Sequence, residues 1–163
     1  MRRALALALL LAGCGEERPT NEAPSAGAKL EATALKVGLV PDPNRPSLMG
    51  YWSRGSDRVC VVPGEGDRQR IGVLIDYGEG DGCVATGTLR RSGERLDVDL
   101  GGCRIDARFD GERIVFPAEV DAACARLCRG DATLAAMSVE QVSASVSEAE
   151  TLRAPSGRRL CPG

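Results

Sequence analysis

The sequence predicts a mainly β protein. The expected fold is a small antiparallel meander closing as a barrel or a sandwich, with short helices before it and near the C-terminus, stapled by disulfides. Three observations predict it. From Leu48 onward, apolar and polar residues alternate with period two over several short runs. Glycine-bearing turn signals separate those runs. Six cysteines fall in the same region of a 163-residue chain with only 3% aromatic residues, so cross-links must support a core built from small aliphatic side chains.

The N-terminus reads as an export signal. Met1-Arg2-Arg3 is a basic start, residues 4–11 are Ala and Leu, and small residues precede Cys14. The apolar run is far shorter than the roughly 20 residues a spanning helix needs. Leu11-Ala12-Gly13-Cys14 resembles the lipobox of bacterial lipoproteins. The resemblance implies acylation of the Cys14 thiol and cleavage before it. In that family a residue other than Asp after the cysteine, here Gly15, implies sorting to the outer membrane. More than one acyl chain gives stable anchoring. The expected organisation is therefore residues 1–13 as a cleaved signal, 14–47 as lipidated Cys14 with a tether and short helix, and 48–163 as the β domain. The expected location is the cell envelope, lipid-anchored, at the outer membrane facing the periplasm.

Residues 16–25 are polar, proline-bearing and aperiodic, as in a disordered tether. Leu30, Ala34 and Val37 recur at helical spacing, and Gly38 suits a stop, which predicts a short helix over 29–38. Such a helix is too short to be stable alone. Three prolines between Pro41 and Pro46 then break regular structure. A flexible stretch of this length spans about 30 Å on average.

Strands are predicted over residues 58–62, 70–77, 83–89, 95–100, 103–109 and 113–116. Gly101-Gly102 as a two-residue turn sets Leu100 against Cys103, Val98 against Ile105 and Leu96 against Ala107, all on one face. Asp97, Asp99, Arg104, Asp106 and Arg108 take the other face, with Asp99 opposite Arg104. Asp110-Gly111 as the next turn sets Ala107 against Ile114 and Ile105 against Phe116, again on the apolar face, with Arg108 opposite Arg113. Two consecutive hairpins thus agree on the buried face. Gly50-Tyr51-Trp52 opens the domain, and Trp52 is the expected core anchor. That opening resembles the first strand of lipocalin-type barrels and of small periplasmic inhibitor barrels; no functional residue is carried over from them. Residues 121–128 read as a short helix or turn. Residues 132–142 read as a further strand or strand pair. Ser147 with Glu150 fits a capping box starting a helix to about Arg153.

The chain has seven cysteines. Lipidation uses Cys14 and leaves Cys60, Cys83, Cys103, Cys124, Cys128 and Cys161, an even set suited to disulfides in an exported chain. The expected pairs are Cys60 with Cys83, and Cys161 with Cys124 or Cys128. Cys124 and Cys128 would share one helix face and reach two different partners. Zinc is not expected: the spacing is C-x3-C, no second close pair exists, and the chain has no His.

Absence of His also excludes Ser-His-Asp and Cys-His catalysis. The only lysines, Lys29 and Lys36, precede the β domain. Carboxylate pairs remain, and Asp97 with Asp99 is the obvious one. Its register places it on a wet face beside arginine, whereas a general acid needs a dry cleft. Gly-Glu-Gly-Asp occurs at 64–67 and 78–81, but consecutive meander loops lie at opposite sheet ends and do not share one calcium ion. Loss of Arg2 and Arg3 with the signal leaves 19 basic and 23 acidic residues, net −4, against a nucleic-acid partner. No cofactor, metal or catalytic residue is expected. The expected function is a non-catalytic, inhibitor-like binding module, membrane-held by its lipid, meeting an envelope or extracellular protein or glycan. A structural or assembly accessory of the envelope is the alternative, and a carboxylate hydrolase comes third.

Overall fold

Alternating side chains can bury one face of a sheet only if something covers that face. Here the sheet covers itself. A computed structural model describes residues 25–36 and 46–161. Cys14, its flanking signal and tether, and Gly38 lie outside the described residues.

The first described element, α1 (Ala26–Lys36), begins three residues before the helix predicted from periodicity. Ser25 explains the earlier start, because its Oγ accepts from the Ala28 N–H at 3.2 Å and caps the first turn. No residue of α1 is buried.

Residues 46–161 belong to a separate compact unit. Its strands are β1 (Gly50–Arg54), β2 (Asp57–Pro63), β3 (Gln69–Gly78), β4 (Asp81–Ser92), β5 (Arg95–Asp99), β6 (Arg104–Phe109), β7 (Arg113–Val115), β8 (Cys128–Arg129) and β9 (Ser138–Ser143). Each pairs antiparallel with its neighbours: β1 to β7 in chain order, then β7 with β9 and β9 with β1. The result is a closed eight-strand barrel, not a sandwich. Closure removes the exposed strand edges of an open meander. The two-residue β8 is an appendage that pairs with Gly82 and Cys83 of β4.

The first tested hairpin forms as read. Val98 opposes Ile105, Leu96 opposes Ala107, and Leu100 donates its N–H to the Cys103 carbonyl. All six of these side chains are buried. The second hairpin differs. Phe109 opposes Ile114 and Arg108 opposes Val115, so Gly111-Glu112, not Asp110-Gly111, forms the turn. The cause is Asp110, whose Oδ1 accepts from the N–H groups of Glu112 and Arg113 at 3.0 and 2.8 Å and closes the loop one residue later. Moving the turn by one residue shifts the partner by two, which preserves the face. Ile105, Ala107, Ile114 and Phe116 therefore stay buried.

The expected short helix forms over residues 122–127 as a 3-10 helix capped by Asp121, one residue shorter than read because Cys128 belongs to β8. Two further expectations are corrected. Of residues 132–142, only those from Ser138 on are strand, since Ala136 takes a left-handed φ of 56° that ends any extended run. The helix α2 (Val146–Ala149) is capped by Ser145, which accepts from the Glu148 N–H, two residues before the expected cap. It ends at Ala149 rather than near Arg153.

Trp52 is fully buried, and its Nε1 donates to the Leu48 carbonyl at 3.0 Å. Phe109 meets it edge-on with ring centroids 5.6 Å apart. Leu, Ile, Val, Phe116 and Met137 fill the remaining interior. A second cluster lies outside the barrel. Residues 144–161, including α2, run as a strap over the outer faces of β2 and β3, where Ala149, Ala154 and Leu160 cover Cys60, Val62 and Leu74. This is why Val59-Cys60-Val61-Val62 is a continuous apolar run: β2 is buried on both faces.

All six described cysteines are bridged, but not as expected: Cys60–Cys161, Cys83–Cys128 and Cys103–Cys124. Cys60 cannot meet Cys83 because Cys83 points into the barrel core while Cys60 points outward under the strap. Cys124 and Cys128 do reach two different partners, neither of them Cys161.

Candidate binding surface

The interior offers no chemistry. Among the described residues no charged or polar side chain is buried. Ionisable groups stand on the outside, and their surroundings decide what they can do.

Asp97 and Asp99 lie on the wet outer face of β5. Arg95 donates to Asp97 at 2.9 Å and to Asp106 at 2.8 Å, and Arg104 stands 4.0 Å from Asp99. The Asp97 and Asp106 contacts, hydrogen bonding to Asp97 foremost, raise the Arg95 pKa above its ordinary value. Neither carboxyl is dry or unpaired, so neither suits a general acid. Asp110 is held below the usual carboxylate range by the two backbone N–H groups it accepts. Partial burial pushes Asp57, at the start of β2, upward.

The two Gly-Glu-Gly-Asp copies occupy the β2–β3 and β3–β4 loops, at opposite ends of β3. Asp67 of the first is paired with Arg90 at 3.0 Å. The Asp81 carboxylate of the second lies beside Gly130, where a β-carbon would sit, and the left-handed φ of 61° at Gly130 favours glycine there. Among the described residues no three His, Cys, Asp or Glu side chains converge.

Two of the concave features lie on the outer face of β3 and β4, beside the strap. Arg70 of β3 and Val84, Thr86 and Thr88 of β4 point outward there. The strap turns back on itself: Arg153 pairs with Arg159, Ala154 donates to the Arg158 carbonyl, and Leu160 donates to the Leu152 carbonyl. Leu160 and Cys161 are buried anchors, and the neighbouring Arg158 and Arg159 stay exposed. Between strap and β4 runs an open groove of about 690 Å³. Its charged lining is Arg70, Arg158 and Arg159, with no carboxylate. None of these three lies within 4.0 Å of a carboxylate among the described residues. Arg70 Nε donates to the Pro63 carbonyl at 3.2 Å, which steadies its stem.

A second groove of about 540 Å³ continues the first, sharing Val84, Ala154 and Arg158. Its charges are mixed, with Asp76, Glu79 and Asp81 facing Arg126 and Arg129. The three arginines of the first groove escaped sequence reasoning. The only available signal was the Arg158-Arg159 pair beside Cys161, in a segment from 151 to 161 that has no acidic residue.

No family model, no curated protein and no solved structure matches this chain.

Proposed function

We propose that this chain is a lipid-anchored envelope protein whose barrel is a non-catalytic, inhibitor-like binding module. The groove beside the strap is the observation that carries this reading. Three guanidinium groups without carboxylate partners among the described residues line a concavity on a rigid, disulfide-pinned scaffold. Arginine in that setting serves recognition, because its planar fork binds carboxylate or phosphate bidentately.

The interior supports the same reading. A barrel packed solid with aliphatic and aromatic side chains meets its ligand on the outside. The carboxylates of β5 and β6 are wet and paired with arginine, a poor arrangement for acid–base work. The cysteine count supports the anchor: three bridges use six of the seven cysteines and leave Cys14 over.

Two measurements test it. Intact-mass analysis of the mature chain from its native membrane is expected to show a diacylglyceryl-modified N-terminal Cys14. Capture from envelope and host extracts on the immobilised full chain is expected to recover a specific partner. An unmodified Cys14 sinks the anchor, and a chain that retains nothing beyond a blank column sinks the binding role.

A further inference from the structure

We propose that the groove along β3 and β4 seats an extended protein segment of about six residues, with carboxylates at one end and an apolar side chain near its middle. The inference rests on the binding-module reading and names the ligand class of the same site.

Length comes first. The lining runs from the Arg70–Thr88 pair at one end to the Asp76–Gly82 pair at the other. Six residues of strand cover about 20 Å, the span of an equally long extended peptide. A point anion such as phosphate would occupy only one end of such a trough.

Charge comes second. The Arg70 end carries Arg159 as well and no acidic residue, Arg158 stands where the two grooves meet, and the other end carries Asp76, Glu79 and Asp81 beside arginines. A complementary ligand is therefore acidic where it meets Arg70, Arg158 and Arg159. It tolerates a basic residue at the far end. This polarity sits on a chain whose net charge is −2, so it is a local feature and not a general basicity.

The middle comes third. Val84, shared by both grooves, is 38% exposed and stands beside buried Ala154. One apolar ligand side chain placed there removes Val84, the exposed large aliphatic side chain of the lining, from water. An anionic bilayer fits less well. A membrane surface meets protruding side chains, and Val84 lies in a trough flanked by the strap.

The strap wall is preorganised. Cys161 is bonded to Cys60, and Leu160 is buried, so Arg158 and Arg159 are held on a fixed turn before any ligand arrives.

The test uses the full chain carrying Cys14→Ser, so that no acyl chain contributes. The probe is a dye-labelled hexapeptide with two glutamates at one end, leucine at the centre and lysine at the other end, together with its reversed-order isomer. Saturable anisotropy is expected for one of the two, weakened about tenfold or more by Arg158→Ala with Arg159→Ala, and weakened by added salt. Thr86→Trp, which fills the groove without removing charge, is expected to abolish binding. The proposal is overturned if neither peptide saturates, or if the arginine variants bind as the parent does. It is also overturned if phosphatidylglycerol vesicles or inorganic phosphate bind through these arginines and the peptides do not. A partner captured from extracts equally well by parent and arginine variants would leave the binding module standing and move its site elsewhere.

Discussion

Gly72 of β3 lies directly beneath Leu160 of the strap: a β-carbon on Gly72 would stand 2.6 Å from Leu160 Cγ and 2.9 Å from Cys60 Sγ. Backbone and bridge thus meet where only hydrogen fits. Gly72→Ala is expected to cost about 1–3 kcal/mol by overpacking, because the strap is tied down and cannot lift freely. Urea unfolding with the disulfides intact measures the loss. An unchanged midpoint would mean that the strap yields easily.

Trp52 joins two kinds of stabilisation, a buried ring and a satisfied Nε1. Trp52→Ala is expected to cost about 3–5 kcal/mol. Trp52→Phe keeps the edge-on partner but strands the Leu48 carbonyl, for about 1–3 kcal/mol. Chemical denaturation followed by circular dichroism ranks the two, since the chain has no other tryptophan to report.

The bridges close loops of different length. The pairs are separated by 101, 45 and 21 residues for Cys60–Cys161, Cys83–Cys128 and Cys103–Cys124. Chain-entropy arguments then assign about 4.7, 4 and 3 kcal/mol to them in that order. Paired Cys→Ser variants, melted under identical conditions, are expected to follow the same order. A reversed order would show that packing around the shorter bridges outweighs loop closure.

Asp57 gives a pH signature. Its burial raises the folded pKa above the ordinary 3.8, so the folded chain binds this proton more tightly than the unfolded one. The stabilisation is complete below 3.8, falls as pH rises through the folded value, and stays absent at neutrality. Asp57→Asn is therefore expected to raise the melting temperature slightly at pH 7. The gain over the parent should vanish near pH 3. A gain independent of pH would point to a cause other than ionisation.

Much of the barrel was legible because it is written in local alternation. Leu96, Val98, Ile105 and Ala107 declare their face without knowledge of any other strand. The Asp110 turn was misplaced because an Asp side chain can cap its own turn, and that choice leaves no mark on the alternation. Closure as a barrel or a sandwich was expected, but the choice of the barrel was not legible. It depends on β9, where Val139 faces inward but Val142 is 59% exposed and a bulge between Tyr51 and Trp52 shifts the pairing register. Disulfide partners and the arginine groove follow from closure and from where the strap lands, both set by contacts distant along the chain. Arg70 meets Arg158 and Arg159 only because Leu160 packs over Gly72.

The three bridges are nested, each loop enclosed by the next: 103–124 lies within 83–128, which lies within 60–161. A tension applied between the segment entering β1 and Cys161, where the strap ends, would pass from β2 across the Cys60–Cys161 sulfurs. The hundred residues between them would carry none of that load through their main chain. The strap would stay fastened to β2 even as strands β3 to β9 came apart, so mechanical strength would reside in one covalent link and not in the sheet.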